Sequence, residues 1–201
     1  MANFPPRSKY ERETELVLGV LTSIIEGRGA VYVSAPITSG RRLVEWGKEY
    51  HFDKADPEHQ DEFQREVVGP NREHARQIVR QLRREFPGVL IDPTAMEDIE
   101  GWTQDDYRYL WGRIIAHSVK TVVYIDGWQY SNGCAYEFLV AWRCPVETLN
   151  EELQPLSLEE GLQLIRAAIA ELQEAGQKTA FLERVAEELE SLKAAEEVCA
   201  E

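Results

Sequence analysis

The sequence predicts an α/β fold in which a parallel sheet carries helices on both faces and is followed by a C-terminal helical extension. Three observations lead there. Short runs rich in β-branched and apolar residues recur at 30–35 (AVYVSA), 89–93 (VLIDP) and 121–125 (TVVYI), each bounded by Gly, Pro or Asp. The segments between them place apolar residues at helical spacing, and strands that alternate with helices pair in parallel through crossovers. From residue 150 onward no strand pattern remains, only two helical patterns with very acidic outer faces.

Residues 8–26 read as the first helix. Ser8 with Glu11 forms a capping box, and Leu16, Val17, Val20, Leu21, Ile24 and Ile25 form one apolar stripe that ends at Gly27 and Gly29. The strand at 30–35 runs into Pro36-Ile37-Thr38-Ser39-Gly40-Arg41-Arg42, where small hydroxyl residues, a glycine and two arginines suit a phosphate or sugar hydroxyls, or an ordinary surface loop. Residues 43–68 mix aromatic and charged residues without a sustained period, and Asp56-Pro57 breaks them; a lid or excursion loop is expected. His51, His59 and His74 lack the tight spacing of metal ligands, so no metal site is predicted.

Residues 71–86 form a helix burying Ala75, Ile78, Val79 and Leu82, ended by Pro87-Gly88, and 89–93 is a second buried strand. A further helix begins near Trp102 with Tyr109, Leu110, Ile114 and Ile115 on its apolar face. It leads to the most informative stretch, 121–142. There a strand ends at Asp126-Gly127, a small polar loop follows, and an apolar helix starts that carries one acid, Glu137. Ligands of open parallel sheets bind where strands hand over to helices at their carboxyl ends.

In the extension, Ser157 and Glu160 form a capping box for a helix with Leu162, Ile165, Ile169 and Leu172 on one face. Gly176 breaks it, and a second helix follows with Phe181, Leu182, Val185, Leu189 and Leu192. The pair is either an acidic hairpin packed on the domain or a dimerisation arm. The expected division is an α/β domain at 1–149 and the hairpin at 150–201.

The formal net charge is -14, and residues 147–201 alone hold 14 acids against 4 bases. Polymeric nucleic acid is therefore not expected as a partner, because a phosphate backbone demands a basic surface. No apolar run approaches the ~18 residues of a membrane span, and the N-terminal residues include no apolar core of a signal peptide, which points to a cytoplasmic protein without a membrane partner. Cys134, Cys144 and Cys199 are too widely spaced for a paired-cysteine motif.

Three pieces, in this order, resemble the nucleoside 2-deoxyribosyltransferase superfamily, which includes deoxynucleoside 5'-monophosphate N-glycosidases. They are 31–38 (VYVSAPIT), 89–93 (VLIDP), and Asp126-Gly127-Trp128 followed by Ser131, Gly133, Glu137 and Ala141. The resemblance covers about residues 30–145, with 43–68 as an insertion, and the last motif is its most specific part. It implies a flavodoxin- or Rossmann-like sheet, no cofactor, and a homodimer or higher homo-oligomer. The implied activity is cleavage of an N-glycosidic bond, or base transfer, on a nucleoside or nucleoside 5'-monophosphate. Glu137 is then the nucleophile, Tyr32 the tyrosine that orients it, and Ser131 the serine near the 5'-phosphate.

Ser34, Pro36, Ile37, Ser39, Gly40, Arg41, Asn132 and Gly133 are expected to complete the pocket, with Asp126 and Gly127 at its turn and Trp128 as a wall for the base. One departure stands out. The family's second acid, which handles the proton of the leaving base, falls on Gly112, and Asp105, seven residues earlier, is the nearest substitute on that helical face. A nucleotide-binding module that has lost the reaction, or a hydrolase of a dinucleotide such as NAD, whose nicotinamide is already cationic on the sugar and needs no proton donor to leave, are the alternatives.

Overall fold

A computed structural model of the chain describes residues 11–25, 29–50 and 57–200. Ser8 of the expected first capping box and His51 lie outside them. In chain order the elements are α1 (Glu11–Ile24), β1 (Ala30–Ser34), α2 (Arg41–Tyr50), α3 (Pro57–Phe63), α4 (Gly69–Glu85), β2 (Leu90–Ile91), α5 (Gln104–Ser118), β3 (Val119–Tyr124), α6 (Asn132–Arg143), β4 (Glu147–Asn150), α7 (Leu158–Glu174) and α8 (Ala180–Ala200). The four strands form one all-parallel sheet in the order β2-β1-β3-β4. The chain moves outward from β1 to β2 and then returns to the other side of β1. A topological switch point therefore lies between β1 and β3, where Ser34 pairs with Tyr124.

Side chains along a strand alternate between faces, and the two faces of this sheet have different partners. Val31, Val33 and Val123 pack on Ala75, Val79 and Leu82 of α4. Tyr32, Val122 and Tyr124 pack on Leu110 and Ile114 of α5 and on Phe138 and Leu139 of α6. Every residue of β1 is buried, so the strand reads as a continuous run rather than an alternating one. The α/β fold with helices on both faces is as the sequence predicts.

Four details differ from expectation. The described parts of residues 43–68 are not a loop: 41–50 are helical, and α3 runs through a π-helical turn (Gln64–Val68) into α4. Pro70 explains the widened turn, since it lacks an N–H and would crowd the carbonyl four residues back in a regular helix. Trp46, Phe63, Val67 and Val68 bury their own small core there, which supplied aromatic residues without a clean period. The strand at 89–93 shrinks to two half-buried edge residues. A fourth strand, β4, spans the expected boundary at 149/150. Finally, the single stripe of α1 splits: Leu18 and Ile25 are buried, whereas Leu16, Val20 and Ile24 are 70%, 59% and 64% exposed.

The hairpin shares the main core. Ile165 of α7 and Leu182, Val185 and Leu189 of α8 belong to the same cluster as Tyr32 and Phe138. Contact is closest at Gly161, where a Cβ would fall 2.1 Å from Cζ of the fully buried Phe138. The Ser157–Glu160 capping box forms as predicted. No described helix is long and apolar enough to cross a membrane.

Candidate active site

Glu137 is the one acid of α6, and the sheet decides its setting. Tyr32 and Ser34 are two residues apart on β1, so both point to the face that α6 covers. The Tyr32 hydroxyl donates to Oε1 of Glu137 at 2.7 Å, and the Ser34 hydroxyl donates to Oε2 at 2.6 Å. Tyr32 and Ser34 are fully buried and Glu137 is 9% exposed. Burial pushes the Glu137 carboxyl up to about 7, although the hydrogen bonds from Ser34 and Tyr32 pull the other way by favouring the charged form. Burial first, and then the neighbouring Glu137, holds the Tyr32 hydroxyl well above its ordinary range, so it stays a donor. The carboxylate is thus fixed by two donors while retaining acceptor lone pairs on both oxygens.

Glu137 borders a cavity of about 230 Å³ at the carboxyl ends of β1 and β3. The loop after β1 contributes Ile37, Thr38 and Ser39 to its wall, and the start of α6 contributes Ser131, Gly133 and Cys134. Ser131 is the N-cap of that helix and accepts from the backbone N–H of Cys134 at 3.4 Å. Burial pushes the Cys134 thiol up to about 12, which keeps it neutral. Arg72 of α4, Arg108 and Trp111 of α5, and Asp98 also line it. Trp111 also meets Tyr32 edge-on, with centroids 6.0 Å apart, so α5 braces the tyrosine that holds the acid.

Several predicted residues go elsewhere. Ser34 supports the carboxylate and does not line the cavity. Gly40 and Gly127 have φ of 89° and 83° and let two loops meet: a Cβ on Gly40 would lie 3.1 Å from the ring of the buried Pro36, and one on Gly127 would lie 3.1 Å from the backbone nitrogen of Arg41. Arg41 pairs with the exposed Asp126 at 3.8 Å and lies over the Tyr130 ring. Arg41, Asp126 and Trp128 line a different, larger cavity of about 790 Å³ beside α7. Trp128 is buried against Tyr124 and Phe138 and is a core residue, not a wall for a base beside Glu137. The smaller cavity is the candidate site because the tethered acid is on it.

Asn132 is exposed, and so is Asp105, which pairs with Arg108 at 2.5 Å and does not line the cavity. Its neighbour Asp106 is buried as the return half of a capping box with Thr103. Gly112 is buried on α5. Asp98 is therefore the second carboxyl on the cavity wall.

Sequence reasoning missed Asn71. Its side-chain amide donates to the carbonyls of Ile37 and Ser39 at 2.9 and 3.0 Å and accepts from Arg42 at 2.9 Å, pinning the loop after β1 from α4. It also missed Arg72, Asp98 and Arg108. The arginines sit on helices whose charged positions read as solvated faces, and only crossover packing turns them toward the sheet's end. Among the described residues, no cluster of three or more His, Cys, Asp or Glu could hold a metal ion; His74 faces Glu151 at 3.3 Å, and His59 lies among Trp46 and Tyr50.

Fold and site together define a parallel α/β protein with a tethered, buried carboxyl at the switch point of its sheet. No protein-family model, curated protein or solved structure matches the chain.

Proposed function

We propose that the chain cleaves the N-glycosidic bond of a nucleoside or nucleoside 5'-monophosphate, with water or a second base as acceptor. The observation that carries this is the Glu137 carboxyl, held by Tyr32 and Ser34 on a small-molecule cavity. Its carboxylate attacks the anomeric carbon; the C–N bond breaks, its electron pair leaves with the base, and the base takes up a proton. The resulting glycosyl ester is resolved by the acceptor from the face the base vacated, with overall retention. Asp98 is the carboxyl assigned to the leaving base, in place of the side chain that Gly112 lacks.

Incubation with a panel of nucleosides and monophosphates is expected to release free base, and Glu137→Gln to stop it. A glycosyl adduct on Glu137 in the intact-protein mass spectrum would give the intermediate directly. No release from any member of the panel sinks the enzyme reading. Buried Gly112 supports a second reading, a module that binds a nucleotide without cutting it, for which calorimetry would register micromolar binding without turnover. With the enzyme reading goes a homo-oligomer, and a monomer by light scattering at micromolar concentration would contradict that part.

A further inference from the structure

Arg108 is an arginine whose setting the fold leaves incomplete. It lines the Glu137 cavity, and its side chain is only 14% exposed. Withdrawing a guanidinium from water is costly unless its donors find acceptors. One terminal nitrogen donates to Asp105, and the guanidinium carbon lies 4.6 Å from the centroid of the Phe181 ring. Its Nε–H is buried with no acceptor among the described residues. A planar cation stacked on one face and tied at one corner is pre-oriented, and its fork geometry suits two oxygens of a phosphate.

The surroundings agree. Arg72 lines the same cavity from α4, and Ser39 and Ser131 add hydroxyls. Two carboxyls, Asp98 and Glu137, share the wall, so the cavity as a whole is not an anion trap and affinity for an anion has to come from the arginines. Phe181 belongs to α8, so the acidic hairpin, which has no other part in the site, supplies the surface on which Arg108 rests.

We propose that Arg108, positioned by Asp105 and Phe181 and assisted by Arg72, binds a phosphate monoester on the substrate's sugar and makes the substrate a nucleotide rather than a nucleoside. This rests on the N-glycosidase reading for the identity of the sugar, and it moves the anion site from the Arg41 loop to α5 and the hairpin.

The test is calorimetric titration of the full chain with ribose 5-phosphate and 2-deoxyribose 5-phosphate, against the same sugars without phosphate. These probes need neither a known base nor turnover. Wild type is expected to bind at least one sugar phosphate about 10-fold to 100-fold more tightly than its sugar, the range of a charge-assisted hydrogen-bond pair. Arg108→Gln should abolish that preference, Arg108→Lys should retain part of it, and Phe181→Leu should weaken it to an intermediate degree, all at unchanged circular dichroism. No phosphate preference in wild type, or the full preference in Arg108→Gln, overturns the proposal; if the glutamine variant does not fold, full preference in Arg108→Lys together with Phe181→Leu does so. Glu137→Gln should keep the preference. Sugar-phosphate binding without base release would therefore remove the glycosidase reading alone, whereas base release without phosphate preference would remove this one alone.

Discussion

The Tyr32 hydroxyl reaches Oε1 of Glu137 at 2.7 Å across 105 positions of sequence. One partner is on the central strand β1 and the other on the helix that follows β3, so the bond closes the switch point of the sheet. It donates to an acid that burial would otherwise keep protonated, and so makes a carboxylate available near neutral pH.

Tyr32→Phe should shift that balance. Without this donor the Glu137 carboxyl rises further above about 7, because Tyr32 is one of the two groups pulling it down. The pH–rate profile for base release should move upward by about one unit, and stability should fall by about 1 kcal/mol. An unmoved profile would mean that the tyrosine does not tune the acid.

Glu137 also sets a pH dependence of stability. Its pKa is raised from 4.5 to about 7 by folding, so between those values the native state holds more proton than the unfolded chain. Its contribution is fully present below pH 4.5 and is lost as pH rises through 7, by about 3 kcal/mol at most. Denaturant titrations from pH 4 to 8 should show this decline in wild type and lose it in Glu137→Gln.

Asp98→Asn should slow release of ordinary bases by ~10²-fold or more, the usual worth of a positioned proton donor. A nicotinamide nucleoside, whose base leaves as a neutral molecule from a cationic glycoside, should be spared. Equal slowing of both would remove Asp98 from proton transfer.

Asn71→Ala leaves the Ile37 and Ser39 carbonyls and Arg42 without their partner. A loss of roughly 1–3 kcal/mol in denaturant unfolding is expected, with a weaker KM for any substrate seated against the loop after β1.

Gly161→Ala should destabilise even though alanine favours helices. The new methyl would overlap Phe138, whose ring is enclosed by Tyr124, Trp128 and Trp142. Overpacking of this kind costs typically 1–3 kcal/mol, more than the ~1 kcal/mol that helix propensity returns. A variant melting at or above wild type would show that the hairpin can move off α6.

Local chemistry was enough for much of this protein. Strand runs, helical periods and the Ser157–Glu160 box state their element types through neighbours a few residues apart, and alternation then implies the parallel sheet. Glu137 stood out for a local reason too, as the lone acid in an apolar helix. Tertiary packing decided the rest, because it joins residues that share no period. Alternation along β1 turned Ser34 from a pocket residue into a support for Glu137, and the approach of two glycine loops carried Arg41 and Trp128 to another cavity. Crossover helices brought Arg72 and Arg108, and the loop between β2 and α5 brought Asp98, to the cavity that Glu137 borders. The hairpin, legible only as two amphipathic helices, gained its place when Phe181 came to lie against Arg108.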